Sequence, residues 1–205
     1  MKTDLKRELA AYSARRGVFD VVEVPPLRYL MIDGHGDPNE QAYADAVSTL
    51  FPVAYKLKFM SKKELDRDYV VMPLEALWWS DDMTTFTTDR DKSRWDWTAM
   101  ILVPDWTPAD HVERAVAAAS DAPALDRLRL ETLHEGRCVQ TLHLGPFDEE
   151  GPVLARLHDE VIPSRGLRMT GRHHEVYLSD IRRTDPAKLR TILRQPVTDA
   201  AGGDA

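Results

Sequence analysis

Hydrophobic positions along the chain change period several times, and each change predicts an element. Leu5, Leu9 and Tyr12 recur at helical spacing, so a short helix is expected within residues 1–16. Residues 18–24 alternate loosely and read as a strand ended by Pro25-Pro26. A second apolar strand at 29–32 is closed by Asp33-Gly34-His35-Gly36. A helix opens next, with Asp37 as N-cap and Pro38 at its first position. Ala42, Ala46, Leu50 and Val53 form its apolar stripe. Pro52 is expected to kink or break it, leaving 53–59 as a separate piece. Residues 61–68 form a charged turn, and 69–79 are strand-like despite Pro73. Residues 80–94 are a polar loop long enough to cover a ligand, and 95–103 are a further strand. Thr107 and Pro108 open a helix over 107–120. Strands are expected at 128–134 and 137–144, around a tight Glu135-Gly136 turn. Residues 148–164 are amphipathic, with Val153, Leu154, Leu157 and Val161 on one side. Residues 173–178 and 189–197 read as strands. The small-residue tail 198–205 is expected to be disordered.

This order of elements echoes itself. The first half has a strand ending in Gly34-His35-Gly36, then a helix, then two strands. The second has a strand ending in Gly145-Pro146, then a helix, then two strands. One such half presents only one face of a small sheet, whereas two can share a sheet and a core. The predicted class is α+β, built of two strand-helix-strand-strand repeats. Repeat one spans about 18–105 and repeat two about 137–197, behind an N-terminal helical extension at 1–17.

Composition narrows the function. The chain has 205 residues, with 43% hydrophobic and 30% charged, an ordinary globular balance for a single domain. A formal charge of −7 argues against a chain built to grip nucleic acid or an anionic membrane. The lone cysteine, Cys138, can form neither an internal disulfide nor a Cys-based zinc site. It alternates within a strand and reads as packing. The first residues carry charges throughout with no apolar core, so no secretory signal is expected, and no run long enough to span a membrane is present. The expected location is the cytoplasm. No phosphate loop, dinucleotide fingerprint, nucleophile elbow or H-E-x-x-H motif occurs. His173-His174-Glu175 resembles a metal cluster, but on a strand the two histidines point to opposite faces. No metal and no cofactor are expected.

Two features carry chemistry. Trp78, Trp79, Trp95 and Trp97 fall within twenty residues. They suit either a Trp-rich core or an aromatic pocket for a flat or cationic ligand. The other is a pair of acidic residues inside apolar strands, Glu75 and Glu175. Alternation puts Glu75 on the side of Leu77 and Trp79, and Glu175 on the side of Tyr177. A carboxylate among aromatic rings is poorly solvated, and that is how a general base or a cation receptor is made. Arg182-Arg183 through Lys188, Arg190 and Arg194 reads as a solvated charged face.

At these residues the sequence resembles the GyrI-like small-molecule-binding proteins. Met72-Pro73-Leu74-Glu75-Ala76-Leu77-Trp78-Trp79, Trp95-Asp96-Trp97-Thr98-Ala99-Met100-Ile101 and His173-His174-Glu175-Val176-Tyr177-Leu178-Ser179-Asp180 carry the likeness. So does the ending that runs from Arg182-Arg183-Thr184 to Gln195-Pro196-Val197. The likeness covers about 18–197, and the Trp-Trp pair and the long Arg-rich ending resemble a stand-alone subfamily. The resemblance implies repeats related by a pseudo-twofold axis around a ligand cleft, as in SOUL and regulatory-factor effector-binding domains. It also implies a cleft glutamate at the position of Glu175. Part of that subfamily is similar to cyclopropanoid cyclopropyl hydrolases, which open the strained ring of DNA-alkylating natural products such as yatakemycin and CC-1065. On that likeness Glu175 and Tyr177 are the catalytic candidates. Trp79, Trp97, Trp78, Trp95, Glu75, Tyr55 and Phe147 are the candidates for binding a flat hydrophobic or cationic molecule. The protein would act as a monomer or homodimer without nucleic acid or membrane, in self-resistance or xenobiotic detoxification. The alternatives are a non-catalytic drug-sequestering protein with the same cleft, and a protein-interaction role such as topoisomerase inhibition.

Overall fold

A computed structural model describes residues 2–86 and 89–200. Among these residues nine strands form one sheet. In chain order they are β1 (Asp20–Val24), β2 (Leu27–His35), β3 (Glu75–Trp79), β4 (Asp96–Val103), β5 (Arg129–Leu133), β6 (Gly136–Leu144), β7 (Leu167–Met169), β8 (His173–Tyr177) and β9 (Arg190–Asp199). Eight lie in the order β1-β6-β9-β8-β3-β4-β2-β5, and β7 pairs with the far end of β9. All pairings in this sheet are antiparallel. Read outward from the central β8–β3 pair, the order is the same on both sides. In each half one strand that follows the helix, β3 or β8, is central, the last strand lies beside it, and the first strand lies outside that. The flanking strands are exchanged: β1 pairs with β6, and β5 with β2. The expected Glu135-Gly136 hairpin therefore does not form. A two-residue turn reverses the chain but does not choose the partner, and each strand instead covers the open edge of the other half.

Three helices complete the layers. Helix α1 (Gln41–Glu64) lies across β2 and β4. Pro52 sits inside it without ending it, contrary to the expected break. Pro52 and Ser48, whose carbonyl loses its donor, are both exposed, so water can satisfy that carbonyl. A mid-helix proline costs about 3 kcal/mol, less than burial of Ala46, Leu50, Val53, Ala54 and Leu57 contributes. Asp37 does not cap this helix either. It accepts a bond from the Asn39 backbone, and Glu40 is the N-cap. Helix α2 (Ala109–Ala117) begins after Pro108, and the Thr107 hydroxyl expected to cap it is buried without a partner. Helix α3 runs from Gly151–Ala155 through a π-helical segment, Arg156–Val161, into Ile162–Ser164. Leu157 and Ile162 pack against Phe19, Val139, Leu167 and Val197. The N-terminal extension is a helical turn (Leu5–Glu8) and a 3-10 turn (Ala10–Tyr12) instead of one helix. β9 continues to Asp199, past the expected start of the tail, and positions 201–205 lie outside the described residues. No helix among the described residues is long and apolar enough to cross a membrane.

Candidate functional site

Strand alternation and register divide the candidate residues between the two faces of the sheet. Glu175 stands opposite Ala76, and His173 opposite Trp78. Trp78 in turn stands opposite Trp97, which stands opposite Gly34. Tyr177 stands opposite Thr191. These side chains share the face that carries α1, because Tyr43 of α1 stacks on Trp78 at 5.7 Å and meets Trp97 edge-on at 4.9 Å. Glu75 and Trp79 lie one residue out of phase, on the opposite face. They do not join Glu175, so Trp79 and Glu75, both expected among the residues that bind the ligand, lie on the face away from it. Trp79 is instead covered by the Arg172 guanidinium, 3.5 Å from its ring.

The Glu175 face is a valley between α1 and α3, filled by aromatic rings. Trp97 is fully buried and seated so close to Gly34 that an added Cβ there would lie 2.1 Å from its ring. It forms floor, not wall. Trp78 donates from Nε1 to the Tyr177 hydroxyl (3.1 Å), and that hydroxyl donates to Glu175 Oε2 (2.7 Å). Burial first, and then Glu175, push the Tyr177 phenol well above its ordinary value, so Tyr177 stays neutral as a donor. Phe147 meets Tyr177 edge-on at 5.4 Å and is partly exposed, at the mouth of the valley. Trp95 packs edge-on to Trp78 and stacks on Phe86. Tyr55 is half exposed on α1 and touches none of these rings. Arg90 and Lys92 pair with Asp148, next to Phe147 in the chain. Cavities of about 310 and 350 Å³ lie elsewhere, one between β6 and α3 and one beside Arg172, and neither is lined by Glu175.

A second carboxyl joins the site that sequence reasoning missed. Glu150, just before α3, is almost completely buried. Its pKa is pushed up to about 10, by burial first and then by the Glu175 carboxylate beside it. Glu150 is therefore neutral at pH 7. Thr191 and Glu175 lie near enough to influence its titration, yet Glu150 Oε1 and Thr191 Oγ1 make no hydrogen bond of ordinary geometry. In the sequence Glu150 ends the acidic run Asp148-Glu149-Glu150, which reads as a favourable charge at a helix start. Nothing local marks the third of these as the buried one. Tyr43 was equally hidden, one turn before Ala46 on the buried side of α1.

The opposite face holds a closed ionic network. Glu75 is fully buried and accepts from Tyr12 (2.5 Å), Tyr29 (3.4 Å) and His174 Nε2 (3.0 Å). His174 Nδ1 bonds Glu135 (2.9 Å), which also accepts from Arg194 (2.9 Å). Arg194 further bonds Gln140 and the Ala11 carbonyl, so it belongs to the core, not to the solvated face predicted. Burial opposes charge on His174, but Glu135 and Glu75 outweigh it and raise its pKa. Burial likewise opposes charge on Glu135, yet His174 and Arg194 draw it down to about 2. Arg194 and His174 thus face Glu135 and Glu75 within one bonded network. The network docks the N-terminal segment and ties β8 to β3 directly beneath Glu175. Cys138 is buried, with its thiol pushed up to about 12 by burial, in keeping with a packing role.

A broad antiparallel sheet with a helix from each half on one face, and an aromatic valley with a carboxyl pair between them, is the frame of a small-molecule-binding domain. The sequence model of the GyrI-like small molecule binding domain matches residues 18–197, and the chain belongs to that family. A conserved, uncharacterized protein of Listeria innocua is 38% identical, with a TM-score of 0.87 over 96% of this chain and all of its own. Two Listeria innocua proteins described as hydrolases are similarly related. One is 38% identical with a TM-score of 0.82, over 96% of this chain and all of its own. The other is 36% identical with a TM-score of 0.83, over 97% of this chain and all of its own. No curated protein matches the chain.

Proposed function

We propose that the protein adds water to the cyclopropane of flat DNA-alkylating compounds of the yatakemycin type, with Glu175 as general base. The observation that carries this reading is the pairing of Glu175 with a second carboxyl kept neutral by its surroundings. A buried carboxyl whose pKa is strongly raised beside a second carboxyl marks a site prepared for acid–base work. The two Listeria innocua hydrolases lend support, since relatives of this identity often share a reaction class. Water attacks the unhindered CH₂, forming an O–C bond, while the ring C–C bond breaks and its electrons pass into the dienone to give a phenolate. Glu175 removes the water proton, a contribution of roughly 10²–10⁴-fold, and the phenolate takes up a proton. The Tyr177 proton is already committed to Glu175, so Tyr177 orients the base and does not serve the dienone oxygen. Neutral Glu150 adds no second negative charge where water must lose its proton. Tyr43, Trp78 and Phe147 hold the flat ring system once they part to admit it, lowering the entropic barrier. The product no longer alkylates DNA, which suits self-resistance or detoxification.

The test is chromatographic. Native protein is expected to consume a cyclopropane-bearing alkylator, and Glu175→Gln to retain the compound and consume it at least 10²-fold more slowly. Recovery of unchanged compound after long incubation with native protein would make it a non-catalytic binding protein.

A further inference from the structure

On the face away from Glu175 the sheet carries a cavity of about 350 Å³, a volume that suits one small molecule. Leu77, Leu133 and Pro196 give it an apolar lining, and Glu135 and Arg172 bring charge to it. Glu135 is the only acid among the lining residues, and both of its oxygens are engaged. One bonds His174 Nδ1 (2.9 Å) and the other accepts from Arg194 (2.9 Å). Arg172 is the reverse case. It makes no ion pair or hydrogen bond with another side chain among the described residues, and rests on the Trp79 ring, 3.5 Å from its centroid. That is the contact distance of two flat groups, so the guanidinium lies flat on the indole. Its N–H groups lie in its own plane and therefore point past the edge of the ring. The turn before it fixes this position. Gly171 has a left-handed φ of +60°, which glycine adopts without strain, and the Thr170 amide donates to the Pro196 carbonyl (2.9 Å).

We propose that this cavity is a second ligand site, which binds a small aromatic monocarboxylate. Its ring system lies against Leu77, Leu133 and Pro196, and its carboxylate takes two parallel hydrogen bonds from Arg172. An arginine fork matches a carboxylate in this way, and the Trp79 stack orients the fork before the ligand arrives, which lowers the ordering cost of binding. The orientation of the ligand follows from the two charges. Arg172 is exposed at the lip, whereas the Glu135 side chain is nearly buried. An anion is therefore drawn to the lip and kept from the floor, so the apolar end enters first. A second carboxylate on the inner end would meet Glu135, which selects for one negative charge. A cation gains little, because Arg172 repels it at the lip and Glu135 already has Arg194 as its counter-charge. The sheet separates this cavity from the Glu175 valley, so the site stands whether or not the protein is a hydrolase.

The probe is 2-naphthoate, with 2-naphthamide and 2-naphthylmethylamine as its neutral and cationic counterparts. Isothermal titration calorimetry is expected to show naphthoate binding about 10-fold or more tighter than either. Arg172→Gln, checked by circular dichroism for an intact fold, should bring naphthoate down to the level of the amide. Arg172→Lys keeps the charge without the fork and should retain only part of the preference. Glu175→Gln should leave naphthoate affinity unchanged. With ¹⁵N-labelled tryptophan, the indole N–H signal of Trp79 should shift on addition of naphthoate and that of Trp97 should not. Absence of naphthoate binding, equal binding of the acid and the amide, or full affinity in Arg172→Gln overturns the proposal. Loss of naphthoate binding in Glu175→Gln, or a shift at Trp97 instead of Trp79, would place the compound in the valley and overturns it as well.

Discussion

Replacing Glu150 with glutamine separates what this side chain does for the site from what it costs the fold. The carboxyl has an ordinary pKa near 4.5 and a value of about 10 in the folded protein. Holding it protonated at pH 7, against an unfolded chain in which it ionises, costs 1.36 kcal/mol for each pH unit above 4.5, about 3 kcal/mol in all. This figure requires only that the folded value exceed 7. The sign follows from proton counting. Between pH 4.5 and 10 the folded state holds a proton that the unfolded state has lost, so stability falls as pH rises through this window. Glutamine keeps the shape without the titration. Glu150→Gln should therefore raise Tm by roughly 6–12 °C at pH 7 for a chain of this length, and by close to nothing at pH 4. Differential scanning calorimetry of both proteins at pH 4, 7 and 9 measures this. A Tm gain independent of pH, or a loss at pH 9, would refute the assignment of a neutral buried Glu150. Activity is expected to fall in the stabilised variant, as where function holds a group against its preference.

The network on the other face predicts the opposite slope. Glu135, held at about 2 in the fold, stabilises above pH 4.5 and loses that contribution as pH falls through the window from 4.5 to 2. Glu135→Gln strands Arg194 and His174 and should cost about 3–5 kcal/mol at pH 7. Urea unfolding should also show a flatter acid limb, and an unchanged limb would contradict the pairing. Gly34→Ala would force a Cβ to 2.1 Å from the Trp97 ring. Because Trp97 is wholly buried, destabilisation of about 1–3 kcal/mol is expected, with a red-shifted tryptophan emission. A neutral substitution would mean that the ring has room to move.

Much of the fold was legible because alternation decides which side chains share a face. The sequence placed Glu175 with Tyr177, Glu75 with Trp79, and His173 apart from His174, and the register agrees. It could not say that β3 and β8 are neighbours. Before that pairing is known, nothing assigns Glu75 and Glu175 to opposite faces of one sheet. For the same reason Trp79 was grouped with Trp97. Strand partners are set by edges that become available only in three dimensions, which is why β5 and β6 part company after a turn that looks like a hairpin. Glu150 and Tyr43 come from a short turn and a helix. There a single polar residue in a charged run carries no local mark of burial. Pro52 misled for the converse reason. Its local cost is real, but burial of the helix face outweighs it.

The central claim is that Glu175 directs water onto a strained ring. The most direct measurement is a mass-spectrometric time course in ¹⁸O-enriched water, with native protein and Glu175→Gln alongside. A product heavier by one ¹⁸O-labelled water is expected, formed rapidly by the native protein and at near-background rate by the variant. Unlabelled compound recovered intact from the native protein, or equal labelling by both proteins, would contradict it.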